Sequence, residues 1–349
     1  MLNRRHFLRN TTLAVSALAA PSILRAQNNK LVINSFGGAY EEIHRRLVIT
    51  PFEEMTGIKV EVVTAYSADT LSQLRAQQEA PQFDVAHFSG GLETTAALEG
   101  LLSPIEPSEL RNHDQMYEFA VSGISKGVGP TYSTAVIGLL YETNQINPIP
   151  TSWNDLLREG IGEHVLVTDA ASNTYGLLSL LMMNHSLGGT MDDLTPGFEF
   201  VSKLLENGAV VVSKSPEIQQ NFAQGSSWMA AYAQDYAYTL TKAGLPVRFV
   251  QPQEGAAFAP ITVNLVANRP NREMALKFID LSIRAEASEG WAEALRYSPT
   301  NRTVTLSGEV AEQVVYGEEA ARNLVGFDPV VISDKRADWN EEWKRLLVR

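Results

Sequence analysis

Lys30-Leu31-Val32-Ile33-Asn34-Ser35-Phe36 is an apolar run of strand length, and Gly37-Gly38-Ala39-Tyr40 follows it directly. The run reads as a short buried strand and the glycine pair as a tight turn. Beyond it Ile43 and Leu47 stand four apart on one face of a helix. A strand that hands over to a helix through glycine is the repeating unit of a doubly wound sheet. The unit recurs downstream. Ile58 to Val63 alternates as a strand, Asp69 is placed to cap a helix carrying Leu71 and Leu74, and Phe83 to Phe88 is a strand ending in Ser89-Gly90-Gly91. Ala135 to Tyr141 is a fully apolar strand, after which the alternation restarts. Trp153 to Leu157 opens a helix, Val165 to Thr168 is a strand, and Ser172-Asn173-Thr174 opens a helix running to Leu187. Val247 to Val250 and Ile261 to Ala267 are further strands, and Met274 to Ile283 and Glu286 to Leu295 are helices. From Ser307 the chain is helical and acidic, with Trp339 and Trp343 forming a packing stripe. The prediction is an α/β fold with a mostly parallel sheet and two cores.

The chain has 349 residues, 44% of them apolar and 19% charged, enough for two domains with filled cores. Its 28 Lys and Arg against 40 Asp and Glu give a net charge of −12, which repels a phosphate backbone and argues against nucleic acid as a partner. The absence of cysteine excludes disulfides, thiolate metal centres and cysteine nucleophiles. Residues 1–26 read as a leader: Arg4-Arg5 precede Phe7-Leu8, Thr11 to Ala20 is small and uncharged, and Ala26 offers a cleavage site. The apolar part is shorter than the roughly 20 residues that span a bilayer. The Arg-Arg-x-Phe-Leu order resembles the twin-arginine export signal, although paired arginines also occur in ordinary secretory leaders. Removing residues 1–26 takes away four arginines and no acid, so the formal charge becomes −16. The expected location is the periplasm.

Catalytic motifs are missing. Gly123-Ile124-Ser125-Lys126-Gly127 spells a nucleophile elbow, but Gly129-Pro130 stands close behind it where that elbow needs a helix. His6, His44, His87, His113, His164 and His185 have no i, i+3 or i+4 pairing, and no phosphate loop or dinucleotide fingerprint occurs. The expectation is a non-enzyme that needs no cofactor and no metal. What recurs instead is a polar glycine turn between strand and helix: Ser35 to Tyr40, Ser89 to Gly91, and Asp169 to Tyr175. In open parallel sheets ligands sit outside the carboxyl ends of the strands, against such turns.

Read together, Asn34-Ser35-Phe36-Gly37-Gly38-Ala39-Tyr40-Glu41, Pro51-Phe52-Glu53-Glu54-Met55-Thr56-Gly57, Phe83-Asp84-Val85, Tyr141-Glu142-Thr143-Asn144, Pro150-Thr151-Ser152-Trp153-Asn154-Asp155-Leu156 and Arg296-Tyr297-Ser298-Pro299-Thr300-Asn301 resemble the periplasmic solute-binding proteins of ABC importers, in the spermidine- and putrescine-binding group. The resemblance covers nearly all of the chain beyond the leader. It implies the two-lobe (type II) periplasmic-binding-protein fold, with a doubly wound sheet in each lobe and two crossover hinge segments, near Thr134–Leu139 and Glu254–Ala259. The first lobe is then 30–134 plus 257–303, and the second is 135–256 plus 304–349. The implied partners are a small-molecule solute and an ABC permease in the inner membrane, and the protein is expected to act as a monomer.

The same resemblance implies where polyamine binders hold their ligand, and this chain departs from them there. Their carboxylates align with Ala170, Asn173 and Ile261, and their sandwiching tryptophans fall near Ala233 and Ala259. A buried ammonium needs a carboxylate, so a solute with one amine, or a zwitterion, fits better than a polyamine. The expected ligand contacts are the turns Ser35, Phe36, Gly37, Gly38 and Tyr40, Ser89 and Gly90, and Ser172, Asn173 and Thr174. Asp235 is assigned to the amine, Arg296 to a carboxylate, and Tyr236, Phe258 and Tyr297 to the walls. Packing accounts equally well for Phe36 and Phe258, a helix cap for Asp235 and a surface charge for Arg296. Two alternatives stay open: a polyamine binder with shifted acids, for which Asp169 or Asp235 would serve, and a ferric-ion or other metal carrier of the same fold using Tyr232, Tyr236, Tyr238 and His87. Against the metal carrier, the chain lacks adjacent tyrosines. An exported cofactor enzyme finds no motif.

Overall fold

The computed structural model describes residues 30–348, and the leader assigned to residues 1–26 lies outside them. Ten strands form one sheet. In chain order they are β1 (Lys30–Ser35), β2 (Lys59–Thr64), β3 (Val85–Ser89), β4 (Thr131–Glu142), β5 (Val165–Thr168), β6 (Val210–Val212), β7 (Met229–Ala233), β8 (Val247–Val250), β9 (Ala256–Leu265) and β10 (Leu324–Val325). The order across the sheet is β2-β1-β3-β9-β4-β7-β5-β6, with β8 on β4 and β10 on β9. The flanks are parallel, β1 with β2 and β3 on one side and β5 with β6 and β7 on the other. The centre is antiparallel, because β9 runs against β3 and β4, and β4 against β7 and β8.

The alternation of β1 explains its place in the sheet. Leu31 and Ile33 enter one buried cluster with Phe52, Phe278 and Trp291, while Val32 enters another with Phe83, Phe88 and Leu74. Side chains of a strand point to opposite faces in turn, so a strand apolar throughout is covered on both sides. Asp84 fastens this half: it is fully buried and accepts from Val32 N at 2.8 Å and from Arg269 Nε at 2.7 Å. A second large core gathers Val165, Leu181, Phe200 and Leu240, and Trp339, Trp343 and Leu346 of the last helix (Pro329–Val348) pack into it. The tryptophan stripe is packing, as its spacing predicts.

Two strands belong to both cores. On β4, Tyr132 lies in the first core and Ile137, Leu139 and Leu140 in the second. On β9, Ile261, Val263 and Leu265 lie in the first and Ala257 in the second. Both strands begin before the apolar runs that announce them: residues 131–134 and 256–260 carry no announced strand pattern, yet Thr134 pairs with Pro260 and Ala135 with Ala259 in register.

Several local readings are revised. Tyr66, not Asp69, precedes the helix Ser67–Ala76, and Asp69 sits inside its first turn. Trp153–Leu157 is a single 3-10 turn. The helix Gly38–His44 passes through a π-helical stretch, Arg45–Ile49, before resuming at Thr50–Thr56. The Gly123 to Gly127 stretch forms only a 3-10 turn, so no helix follows Ser125 as a nucleophile elbow requires.

His44 and His87 are buried face to edge, their ring centroids 4.7 Å apart, and neither ring nitrogen of His44 has a partner. Burial holds His44 well below its ordinary range, helped by the neighbouring His87, and burial lowers His87 from 6.5 to about 4 despite its bond to the Asn34 carbonyl. A base with a lowered folded pKa stabilises fully above its unfolded pKa and loses that contribution as pH falls. The window runs from 6.5 down to about 4. His87 alone contributes on the order of 3 kcal/mol across it. The thermal midpoint should therefore drop between pH 6.5 and 4, and His44→Leu should flatten the drop in a calorimetric pH series. An equally steep drop in the variant would assign acid sensitivity to other groups.

Candidate functional site

Four strand-to-helix turns lie at the carboxyl ends of β1, β3, β5 and β7. In the first, Gly37 (φ 76°) and Gly38 (φ 55°) take the left-handed backbone that glycine adopts freely. A Cβ on Gly37 would stand 2.8 Å from Thr64 Cγ2 at the end of β2, so the close approach of β2 also demands glycine. This turn presents Phe36 against Tyr40 (centroids 5.0 Å apart) and against Tyr66 (6.3 Å, stacked). Tyr40 stacks on Trp291 at 4.7 Å, and its hydroxyl bonds that of Tyr132. In the second turn, Ser89 N donates to Ser67 Oγ at 3.0 Å, and Gly90 and Gly91 again have positive φ. Glu93, buried below it, accepts from Gly91 N–H, and desolvation pushes its carboxyl up to about 7.

In the third turn Asp169 is fully engaged. It accepts from Ala171 N (2.9 Å), Ser172 Oγ (2.6 Å) and Ser213 Oγ (3.4 Å). Asn173 caps the helix Thr174–Ser186 through Tyr175 N and Gly176 N, as the Ser-Asn-Thr signal predicts.

The fourth turn follows β7 and carries Asp235 and Tyr236 at the start of the helix Gln234–Lys242. Asp235 is the unusual member. Its Oδ1 is enclosed and has no hydrogen-bond partner, and burial pushes its carboxyl up to about 7. Three phenols surround it: burial first, with the nearby Asp235 charge adding to it, raises the pKa values of Tyr175, Tyr297 and Tyr232. Tyr232 meets Tyr175 and Tyr236 edge to face, each at 5.3 Å, and bonds Ser215 Oγ at 2.6 Å. Tyr297 packs against both cores, and so lies between the aromatic residues of the first half, Phe36, Tyr40 and Tyr132, and those of the second, Tyr175, Tyr232 and Tyr236, as one aromatic group.

The sequence expectations divide accordingly. Phe36, Tyr40 and Tyr236 belong to this aromatic group with Tyr297, and Asp235 stands beside Tyr236 at the start of its helix. Phe258 does not join the group: it lies on β9 beside Phe119 (5.0 Å) and Gly326, while its neighbours Ala257 and Ala259 face the second core. Arg296 is directed elsewhere as well. With φ 59° it closes the helix Ala285–Leu295, bonds Gln313 Oε1 at 2.7 Å and the carbonyls of Ala292 and Glu293, and lies 4.0 Å over the Tyr238 ring. The residues once considered for iron also separate, Tyr238 under Arg296 and His87 against His44 in the first core. Among the described residues no group of three or more His, Cys, Asp and Glu is placed to hold a metal. Sequence reasoning missed Tyr132 and Ser215, which sit in runs without motif character, and Tyr175 as a wall, although it ends the third quoted turn.

The family profile of bacterial extracellular solute-binding proteins matches residues 48–316. The chain belongs to that family. A spermidine/putrescine-binding periplasmic protein of Salmonella typhimurium is 26% identical over 310 residues, covering 86% of this chain and 87% of the relative. A gamma-aminobutyric acid-binding protein of Pseudomonas aeruginosa is 24% identical over 330 residues, covering 90% and 89%. Among solved structures, an ABC transporter protein from Clostridium perfringens superposes with a TM-score of 0.80 at 23% identity, covering 90% of this chain and 99% of its own. A spermidine/putrescine substrate-binding protein from Streptococcus pneumoniae does so at 0.74 and 21%, covering 91% and 99%. This solute-binding chain thus has the two-lobe fold its sequence predicts, and it captures a small solute for an ABC importer that includes a membrane permease. Its relatives are periplasmic transport proteins, not enzymes.

Proposed function

We propose that the four turns line one interlobe cleft in which the chain binds a small solute bearing a single amine. The supporting observation is Asp235, a carboxyl with one enclosed oxygen, no partner and three tyrosine walls. An unpaired buried carboxyl is a cost to the empty protein, and an ammonium offsets it. Asp169 is already satisfied by three donors. Glu93 also has an enclosed oxygen without a partner, but it lies under the second turn and accepts backbone N–H bonds there, so the amine is assigned to Asp235 beside the tyrosines. A polyamine is disfavoured because each ammonium beyond the acids available would stay unpaired. Ser35 to Tyr40, Ser89 and Gly90, and Ser172 to Thr174 contribute hydroxyl and backbone contacts, and Tyr236 and Tyr297 the walls. Phe258 and Arg296 are left out of the proposed set.

The lobes in this reading are 30–134 with 257–303 and 135–256 with 304–349, hinged where β4 and β9 pass between the two cores. The ligand bridges them, so its binding favours the closed form that the permease receives. The protein acts as a monomer in the periplasm without catalysis, after export as a folded chain and cleavage near Ala26.

Three outcomes are expected. In calorimetry an amine ligand should bind more tightly as pH rises through about 7, because Asp235 must ionise to hold an ammonium and its pKa in the empty protein is about 7. Affinity should change about tenfold per unit on the acid side, with a plateau above. Asp235→Asn should weaken binding and remove this dependence; undiminished binding by the variant would exclude Asp235 from the site. Solution scattering should show a smaller radius of gyration at saturation, whereas an unchanged value would exclude hinge closure. Replacing Arg4 and Arg5 by lysine should leave precursor in the cytoplasm, and normal export of that variant would rule out the twin-arginine route while leaving secretion intact.

A further inference from the structure

The amine reading leaves the far end of the ligand undefined, and the last helix supplies chemistry for it. Trp339, Trp343 and Leu346 root that helix in the second core. Its first residue reaches the other lobe: Pro329 Cβ stands 2.8 Å from where a Cβ on Gly91 would be, so the proline closes tightly on the second glycine turn. Seven residues later, about 10 Å along the axis, Arg336 Nη2 donates to the carbonyls of Ala170 (3.0 Å) and Ala171 (3.1 Å) in the third turn. The helix therefore lies between the ends of β3 and β5, the strand ends where ligands of open α/β sheets sit.

One edge of the Arg336 guanidinium is fixed by these two carbonyls. Nε and Nη1 have no hydrogen-bond partner among the described residues, and the side chain is half-buried. Burial lowers the pKa of the guanidinium and the nearby Asp169 opposes that, but no ion pair joins the two. A guanidinium oriented by backbone on one side and open on the other is suited to a carboxylate, to which it can give two parallel donors. The two charged positions are linked through one aromatic group: Tyr175 closes the Arg336-held turn and meets Tyr232 edge to face, and Tyr232 meets Tyr236, the neighbour of Asp235, in the same way.

We propose that Arg336 is a specificity-determining residue that receives the carboxylate of a zwitterionic ligand whose ammonium sits on Asp235. This rests on the amine reading and narrows it to amino-acid-like zwitterions. The same charge repels a second ammonium, so discrimination against diamines comes from a repulsive group as well as from a missing acid.

Three probes of matched chain length and one shared ammonium test it: 4-aminobutyrate, butylamine and putrescine, titrated by calorimetry into the wild-type protein, Arg336→Gln and Arg336→Lys, with the ligand-free thermal midpoint of each recorded. Homologous sets with longer and shorter chains are run in parallel. The wild type should rank the amino acid first and the diamine last. Arg336→Gln should weaken the amino acid about tenfold or more, leave the monoamine within about twofold, and leave the diamine unchanged or improved. Arg336→Lys should recover part of the loss. Equal weakening of all three probes would reduce Arg336 to a brace of the 169–174 turn, and an unchanged amino-acid affinity would remove it from the site; either result overturns the proposal but leaves the amine reading standing. Failure of every probe on the wild type would overturn the amine reading, and this inference with it.

Discussion

The antiparallel ladder between β4 and β9 is the constraint from which the rest of the architecture follows. Thr134 is paired with Pro260 and Ala135 with Ala259, at the place where each strand leaves one core for the other. Proline has no N–H to give the ladder, and Thr134 adds a side-chain bond, its Oγ1 donating to the Ala259 carbonyl at 2.9 Å. Ser298 N donates to the Thr134 carbonyl at 2.8 Å, which brings Tyr297 to the crossing. In the proposed division the lobes are joined by these two strands and by a third passage near residues 303–304, so closure is a rotation about a few residues while each core stays packed.

The proposed function depends on a contrast between two aspartates. Asp169 and Asp235 both stand at the ends of second-lobe strands, yet one has three donors and the other has none for its enclosed oxygen. Desolvation, only partly offset by the backbone N–H of Asp235 itself, raises its pKa to about 7, so the empty protein retains an unfavourable enclosed acid. Of the tyrosines near it, Tyr232 and Tyr236 direct their hydroxyls to Ser215 rather than to the carboxyl. A cation is the partner that this environment lacks. In the proposed cleft binding couples to closure, since Tyr297, assigned as a wall, is packed on both cores.

Much of this was legible in the sequence because it is local. Strand periodicity in Lys30–Phe36 and Phe83–Phe88, the glycine pairs that follow, and the Ser172-Asn173-Thr174 cap each depend on a few adjacent residues, and all appear where the pattern puts them. Asp235 was legible as a candidate from its position after an apolar strand. What marks it out, the absence of a partner, was not, because an unmade bond has no sequence pattern. Arg296 shows the converse: a basic residue beside Tyr297 looks placed for an anion, but its left-handed backbone closes a helix and its head group goes to Gln313 and Tyr238. Phe258 fails for a similar reason, since the strand alternation of β9 turns it away from Ala257 and Ala259.

The sequence by itself determined the two-core α/β plan, the glycine turns at the strand ends and the family, because backbone preference and hydrophobic periodicity are properties of neighbouring residues. Only the tertiary structure decided which charges remain free. Asp169 accepts a hydrogen bond from Ser213, 44 residues away, and Arg336 is held by carbonyls more than 160 residues earlier in the chain. Compensation of a charge is a matter of distance and dielectric in space, and those are set when the last helix packs against both lobes.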